Sequence, residues 1–166
     1  GTYWSSFEAE QVYSTFDWGI RDDDGYYFIL GRTDDVINVA GHRLGTREIE
    51  ASISSNSNVS EVAVLGVEDK LKGQVVVAFV ILKNAALADT PVAMRVLEAE
   101  IMGTVDKQLG AVARPARVHF ITALPKTRSG KLLRRSIQAI CEGRDAGDLT
   151  TIEDPASLTQ IKAVIG

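Results

Sequence analysis

The sequence has few of the residues that build covalent cross-links or metal clusters. It contains one cysteine, Cys141, and two histidines among 166 residues. A single cysteine excludes an intrachain disulfide framework and a cysteine-based metal cluster. His42 and His119 have no second ligand at a metal-binding spacing, so both are interpreted as structural and no metal site is expected within the chain. Cys141 is expected to pack as a small apolar residue.

Long hydrophobic runs are also absent. No stretch approaches the roughly 18 apolar residues of a membrane span, and the first residues lack the charged and apolar regions of a signal peptide. These absences favour a soluble, cytoplasmic protein without a membrane partner. Hydrophobic residues make up 45% and charged residues 24% of the chain, which is ordinary globular usage and predicts one domain with a real core.

Aromatic residues are scarce beyond the start of the chain. Nine of the eleven precede Gly31, and only Phe79 and Phe120 follow it. In this leading segment an Asp-Gly turn signal at residues 24–25 separates two apolar runs, residues 18–21 and 26–30, which predicts a β-hairpin. Because two strands alone are marginally stable in water, we expect the hairpin to pack on a larger domain outside this chain.

The net charge of −4 conceals an uneven distribution. Residues 107–141 contain eight basic residues and no acidic one. Such a stretch favours an anionic ligand, and a small phosphate-bearing molecule fits better than nucleic acid because the rest of the chain is acidic. A solvated basic helix face explains the charge about equally well.

Between the hairpin and residue 143 the patterns predict alternating strands and helices. Thr46 is expected to cap a first helix, Thr90 and Pro91 to start a second that stops at Gly110, and Ser129 to cap a third over residues 131–142. Strands are predicted at residues 36–39, 61–67, 75–82 and 117–122. The pattern indicates an α+β domain of two layers, with a central sheet of about three strands flanked by helices.

The loop at residues 125–131 carries the strongest chemical signal. Gly130 and Lys131 suggest a Walker phosphate loop, but Pro125 and Leu132 occupy positions where that motif needs glycine and serine or threonine. In the first turn of the predicted helix, Lys131 would oppose the helix dipole, so stability does not explain it. Its charge suits a phosphate or carboxylate group on a ligand or another domain. The alternative is an ordinary solvated lysine in a loop.

A second segment, residues 38–45, places Gly41 and Gly45 on either side of the basic pair His42 and Arg43. Glycines at this spacing are consistent with a backbone that a ligand approaches closely. The alternative is an ordinary strand-to-helix turn.

Taken together, residues 26–35, 38–43 and 125–131 resemble the C-terminal domain of AMP-forming acyl-CoA synthetases, which belong to the adenylate-forming enzymes. The resemblance covers about residues 13–142 and is greatest to propionyl-CoA synthetases, then to acetyl-CoA synthetases. It implies a two-step reaction in which a carboxylate and ATP give acyl-AMP and pyrophosphate, after which coenzyme A displaces AMP. The substrates and ion of the full-length enzyme would be ATP, coenzyme A and Mg²⁺, none of them required by the fragment.

The resemblance also implies roles for residues that would handle the nucleotide. Asp17 and Arg32 would bind the ribose, and Arg43 a phosphate. Lys131 would be the catalytic lysine of acyl-AMP formation, bridging the substrate carboxylate and the α-phosphate. In such families this lysine is a target of reversible acylation, which implies a lysine acyltransferase and a deacylase as further partners.

Three residues would serve the second step. Asp34 would be the hinge about which the small domain rotates between the half-reactions, and Ala40 and Gly41 would line the tunnel for the pantetheine arm of coenzyme A. One family feature is missing, since the position of an arginine used for coenzyme A falls at Asp106 or Lys107.

The resemblance divides the chain into a remnant of the N-terminal domain (residues 1–33), a mobile C-terminal domain (residues 34–143) and a tail (residues 144–166). The missing N-terminal domain is the expected partner, and the fragment alone is expected to be inactive. The best prediction is a propionate-CoA ligase. An acetate-CoA ligase or another adenylate-forming enzyme is the first alternative, and a non-catalytic binding module with the same fold is the second.

Overall fold

The computed structural model describes the backbone of residues 17–21 and 27–32 and the full structure of residues 36–166. The chain divides into two compact units, Gly1–Asp35 and Val36–Gly166. In the first unit, β1 (Asp17–Arg21) pairs antiparallel with β2 (Tyr27–Arg32). The predicted hairpin is therefore confirmed, while its connecting turn lies outside the described residues.

The second unit is built on a five-stranded sheet. Its strands are β3 (Val36–Val39), β4 (His42–Gly45), β5 (Val59–Asp69), β6 (Gly73–Leu82) and β7 (Arg117–Ile121). The central strand is β6, which pairs with β5 along one edge and with β3 and then β7 along the other. Only the β6–β7 pair is parallel within this sheet.

Four helices cover this sheet: α1 (Thr46–Ser54), α2 (Pro91–Leu109), α3 (Arg134–Cys141) and α4 (Pro155–Ile165). A short 3₁₀ turn, Ala85–Ala88, precedes α2. Alternate residues of β5 and β6 face two separate apolar cores, one lined by α1 and α2 and the other by α3 and α4. The α+β class is confirmed, but helices on both faces make three layers rather than two.

The sheet is also larger than the expected three strands. The near-continuous apolar run of β6 buries side chains on both of its faces, which requires cover on both. The four predicted strand ranges all belong to the sheet, and the fifth strand, β4, arises because β3 turns back at residues 40–41, where the sequence analysis expected a close-approach segment or a strand-to-helix turn.

Helix boundaries show which sequence signals were strong. Thr90 Oγ1 accepts a hydrogen bond from Ala93 N and α2 ends at Gly110, both as predicted. The prediction for α1 was wrong, because Gly45 is the N-cap and Thr46 lies inside the helix with its side chain fully buried. Within the described residues, Thr46 Oγ1 has no hydrogen-bond partner.

The prediction for the third helix was wrong at its start. Ser129 does not cap it, since α3 begins at Arg134 and Lys131 lies in the preceding loop. The helix dipole argument for Lys131 therefore does not apply. The end of α3 at Cys141, followed by Gly143, agrees with the predicted stop.

Residues 144–166, assigned to a tail, are part of the second compact unit. Leu158 and Ile161 of α4 are buried against β5, β6 and α3 in the second core. None of the helices in the described part of the chain is both long and apolar enough to cross a membrane.

Gly66→Ala is expected to lower the free energy of unfolding by about 1–3 kcal/mol. Gly66 is buried in β5, where a Cβ would lie 2.9 Å from Ile37 Cγ2 and 3.0 Å from Gln74 Cδ. Gln74 is not free to move away, because its Oε1 accepts a hydrogen bond from Asn38 N at 2.8 Å. Denaturant unfolding of the chain measures the loss.

Gly103→Ala is the matched control for this substitution. Gly103 lies within α2, and a Cβ there would have no atom within 4 Å. Alanine in this helix interior is expected to raise stability by about 0.5–1 kcal/mol. Equal effects of the two substitutions on unfolding would show that crowding at Gly66 is not the cause.

Candidate functional site

The loop that carries Lys131 is a small antiparallel hairpin rather than the start of a helix. Lys126 and Leu132 form a β-bridge, and Thr127 N donates to Lys131 O at 2.8 Å. Gly130 N donates to Thr127 O, which closes the turn at the tip. The backbone of Lys131 is thus fixed while its side chain is exposed.

Thr127 is the residue that holds Lys131 in place. Its Oγ1 accepts a hydrogen bond from Lys131 N at 3.1 Å and lies 2.9 Å from Ser129 Oγ. Among residues 36–166, no carboxylate pairs with the Lys131 ammonium. The sequence analysis missed Thr127 because a threonine in a polar loop carries no signal of its own.

An ion pair joins the start of α3, next to this loop, to Glu50 of α1. Arg134 Nη1 lies 2.9 Å from Glu50 Oε1, and both side chains are mostly buried. Glu50 Oε1 also accepts from Val64 N, and Arg134 donates to Val64 O. This arrangement fixes the start of α3 against the middle of β5.

The carboxylates of other segments pair with part of the basic stretch at residues 107–141. Arg114 pairs with Asp106, Lys126 with Glu61 and Arg134 with Glu50. These pairs account for some of the charge that the sequence analysis ascribed to an anionic ligand. The exposed cations Arg128 and Lys131 remain together at the loop.

The turn at Ala40 and Gly41 joins β3 to β4 in two residues, with Val39 opposite His42. Both turn residues have positive φ, 48° for Ala40 and 84° for Gly41. Such a pair is typical of the hairpin turns that match strand twist. Ala40 holds a conformation that costs a non-glycine residue about 1–2 kcal/mol, and strained backbone of this kind often marks a functional site.

The neighbouring turn between β5 and β6 supports this hairpin. Ala40 N donates to Lys72 O at 2.9 Å. Asp69 Oδ2 accepts from Lys72 N and Leu71 N, and these backbone hydrogen bonds lower the pKa of the Asp69 carboxyl. Two rigid turns therefore lie side by side at one end of the sheet.

A cleft of about 720 Å³ opens beside Ala40. Val75 and Val76 of β6 and Met102 of α2 give it an apolar lining, and Arg114, paired with Asp106 at 3.5 Å, also lines it. Asp106 is one of the two positions at which the related enzymes would have an arginine for coenzyme A. Arg43 lies on β4 opposite Asn38, and its side chain is exposed.

The Lys131 loop and the Ala40–Gly41 turn lie at opposite ends of the sheet. Lys126, at the base of the loop, pairs with Glu61 near the start of β5. The turn lies beside Gly73, whose partner on β5 is Asp69 at the strand's end. Glu61 and Asp69 are eight residues apart along β5, which corresponds to about 26 Å.

The direction of α3 agrees with this separation. Arg134 contacts Val64 at the start of the helix, and Glu142, just after its end, accepts a hydrogen bond from Glu68 N. The helix therefore runs along β5 toward the Asp69 end, which leaves the preceding Lys131 loop at the Glu61 end.

The remaining predicted site residues are placed only in part. Asp17 and Arg32 are register partners at the open end of the β1–β2 hairpin, so the two candidate ribose ligands are cross-strand neighbours. The proposed hinge, Asp34, lies outside the described residues.

Burial shifts the pKa values of both His119 and Cys141. Burial, together with the charge of Arg117, lowers the pKa of His119 below 6.5, and its ring stacks on Phe79. Burial, with a smaller contribution from Glu142, raises the pKa of the Cys141 thiol to about 11. Cys141 is half-buried against the second core.

The chain is similar to one family over half its length. Residues 48–131 match the model for the AMP-binding enzyme C-terminal domain. Propionate–CoA ligase from Salmonella typhimurium (strain LT2) is 70% identical over 165 residues, which are 99% of this chain and 26% of the relative. Acetyl-coenzyme A synthetase from Pyrobaculum arsenaticum is 45% identical over 161 residues, which are 97% of this chain and 23% of the relative.

Solved structures give the same result for the fold. Brucella canis acyl-CoA synthetase aligns with a TM-score of 0.54 and 38% identity, over 75% of this chain and 22% of that one. ATP-bound MatB from Rhodopseudomonas palustris aligns with a TM-score of 0.58 and 30% identity, over 81% and 25%. The chain spans about a quarter of the length of the curated relatives it matches.

Proposed function

Because this chain belongs to the family of AMP-binding enzyme C-terminal domains, we propose that it is the C-terminal part of an ATP-dependent propionate-CoA ligase. In the first step the propionate carboxylate attacks the α-phosphate of ATP, giving propionyl-AMP and pyrophosphate. In the second, the thiol of coenzyme A displaces AMP and gives propionyl-CoA. The choice of propionate rests on the 70% identity to a ligase of that name.

The observation that carries the proposal is the separation of the two candidate sites. A cationic loop and a narrow backbone turn lie at opposite ends of one sheet, beside positions of β5 that are eight residues, or about 26 Å, apart along the strand. One active site cannot contact both ends in a single orientation of the domain. A reaction in two steps, with the domain reoriented between them, uses each end in turn, and Asp34 is the proposed hinge.

In the first step Lys131 would act by electrostatic stabilisation. Its ammonium is exposed at a fixed backbone position, and among residues 36–166 it has no carboxylate partner to neutralise it. A cation held there would bridge the substrate carboxylate and the α-phosphate, where negative charge is redistributed in the transition state. Asp17 and Arg32 would bind the ribose hydroxyls. Arg43 lies on β4 two residues beyond Gly41, at the other end of the sheet, so it would bind a phosphate in the orientation that serves the second step.

In the second step the Ala40–Gly41 turn would guide the pantetheine arm. Gly41 has no side chain, and no atom lies within 4 Å of the place where its Cβ would be. A slender chain can pass close to such a backbone. The adjoining cleft has a mixed lining, in which Val75, Val76 and Met102 offer an apolar side to the pantetheine chain.

The N-terminal domain and the substrates are the proposed partners. In the described part of the chain, no group of three or more His, Cys, Asp or Glu residues is gathered to hold a metal ion. These residues do not fit a Mg²⁺ site, and the ion would arrive bound to the phosphates of ATP. Acylation of Lys131, and the enzymes that would perform it, stay predictions.

A chimera tests the proposal. This chain replaces the corresponding C-terminal quarter of the Salmonella typhimurium propionate–CoA ligase, and propionyl-CoA formation is measured. The chimera is expected to be active, whereas the chain alone and the truncated ligase alone are each expected to be inactive, because each lacks half of both sites.

Two outcomes would contradict this proposal. Thioester formation by the isolated chain would show that it does not need an N-terminal domain. A folded chimera that forms neither acyl-AMP nor thioester would favour the alternative of a non-catalytic binding module.

A further inference from the structure

The tail forms a third strand on the Lys131 loop. Thr127 and Ile152 form an antiparallel β-bridge. Arg128 N donates to Thr151 O at 3.1 Å, and Glu153 N donates to Lys126 O at 2.9 Å. Residues 126–128 thus pair on one side with residues 131–132 of their own hairpin and on the other side with residues 151–153, a segment that we call the tail strand.

The tail strand is itself held by the core. Ile152 is 7% exposed and packs in the second apolar core with Leu158 and Ile161 of α4. Asp154, which follows directly, caps α4 by accepting a hydrogen bond from Ala156 N at 3.0 Å. The position of the tail strand is therefore set by α4 and the sheet rather than by the loop.

This arrangement gives the loop a support that it would otherwise lack. A two-stranded hairpin is marginal in water, whereas a third strand with a buried side chain stabilises it. Lys131 N and Lys131 O both bond to Thr127, the central residue of the supported strand. A displacement of residues 126–128 would therefore move the backbone of Lys131 with them.

We propose that the tail strand, residues 151–153, is a positioning element for Lys131 in acyl-AMP formation. The role in acyl-AMP formation rests on the function proposed for Lys131, whereas the support that the tail strand gives to the loop does not. The tail strand lies beyond residues 48–131, which match the family model. Its contribution would be to keep the ammonium at the distance and angle that transition-state stabilisation requires, a requirement sensitive to shifts of about 1 Å.

The first test needs no enzyme activity. Glu153→Pro removes the N–H that donates to Lys126 O, while Glu153→Ala keeps it and removes only an exposed carboxylate. Hydrogen exchange of the chain is measured at the amides of Thr127 and Lys131 and across the β5–β6 ladder. Glu153→Pro is expected to speed exchange at Thr127 and Lys131 at least about tenfold and leave the ladder unchanged.

The outcomes of this test are distinct. Unchanged exchange at Thr127 and Lys131 would overturn the proposal, and so would an equal increase over the whole ladder, which would indicate general destabilisation. If Glu153→Pro does not fold, Ile152→Ala serves instead, because it keeps every backbone hydrogen bond and removes part of the buried side chain that holds the tail strand.

The second test uses the full-length ligase. Glu153→Pro is expected to lower acyl-AMP formation about tenfold, while thioester formation from supplied acyl-AMP is unchanged and Glu153→Ala resembles the parent protein. Equal loss in both half-reactions would mean that the tail strand is only structural. A Lys131→Ala variant that retains acyl-AMP formation would instead refute the proposed function, with the hydrogen-exchange result unaffected.

Discussion

Lys131→Ala in the full-length ligase is expected to lower the rate of acyl-AMP formation by at least about a hundredfold. Removing one preorganised group that stabilises transition-state charge costs about 10²–10³ in rate. Thioester formation from supplied acyl-AMP is expected to stay unchanged, since the role proposed for the lysine is in the first step alone. ATP–pyrophosphate exchange measures the first half-reaction, and the release of AMP with coenzyme A measures the second.

Two controls accompany this substitution. Lys83→Ala removes the same charge from an exposed position at the end of β6 and is expected to affect neither half-reaction. Lys131→Arg keeps the charge but replaces a compact ammonium by a planar guanidinium, so partial activity is expected. Intact acyl-AMP formation by Lys131→Ala would remove the catalytic role assigned to this residue.

The stability of the chain separates catalysis from folding at this position. The Lys131 side chain is exposed, and among the described residues its ammonium has no carboxylate partner. Lys131→Ala is therefore expected to change the free energy of unfolding by less than about 0.5 kcal/mol. Loss of activity with unchanged stability cannot come from unfolding.

Signals that act over a few residues were predictable from the sequence. The Thr90–Pro91 start and the Gly110 stop define α2. The four-residue spacing of Leu97, Ile101, Val105 and Leu109 predicts its buried face correctly for the first three, whereas Leu109 at the end of the helix is exposed. The apolar run of β6 marks the central strand. These features depend on local geometry, on capping and on a period of burial, which a sequence displays directly.

Features set by distant partners were not predictable in the same way. Thr46 is a good capping residue, yet its side chain is fully buried and Gly45 is the N-cap instead. Lys131 is not in α3 because residues 126–132 form a hairpin that pairs with residues 151–153. That pairing joins segments about 25 residues apart, and no pattern inside either one reveals it.

In the candidate site, too, local features were predictable and long-range ones were not. The composition of the loop and its resemblance to a family identified Lys131, and the two glycines identified the Ala40–Gly41 turn. Neither indicated that the two lie at opposite ends of the sheet, which follows from strand order and register. Thr127 and the tail strand were missed because their contribution is made by backbone hydrogen bonds.

Gly41→Leu in the full-length ligase is expected to lower thioester formation about a hundredfold, the equivalent of about 2.7 kcal/mol. A leucine side chain at the tip of the β3–β4 turn would occupy the path proposed for the pantetheine arm. Acyl-AMP formation is expected to stay near the parent rate, because the Lys131 loop lies at the other end of the sheet. The two half-reaction assays used for Lys131 measure both rates.

Backbone strain is the competing explanation, and a second glycine separates it from obstruction. Gly147 has φ 83°, close to the 84° of Gly41, and a Cβ at either residue would have no atom within 4 Å. Gly147→Leu is therefore expected to cost similar stability and to leave thioester formation intact, while Gly41→Ala shares the strain with little bulk and is expected to be intermediate. If Gly41→Leu slows both half-reactions equally, or if Gly147→Leu slows thioester formation as much, strain rather than obstruction is the cause and the turn does not line the path of coenzyme A.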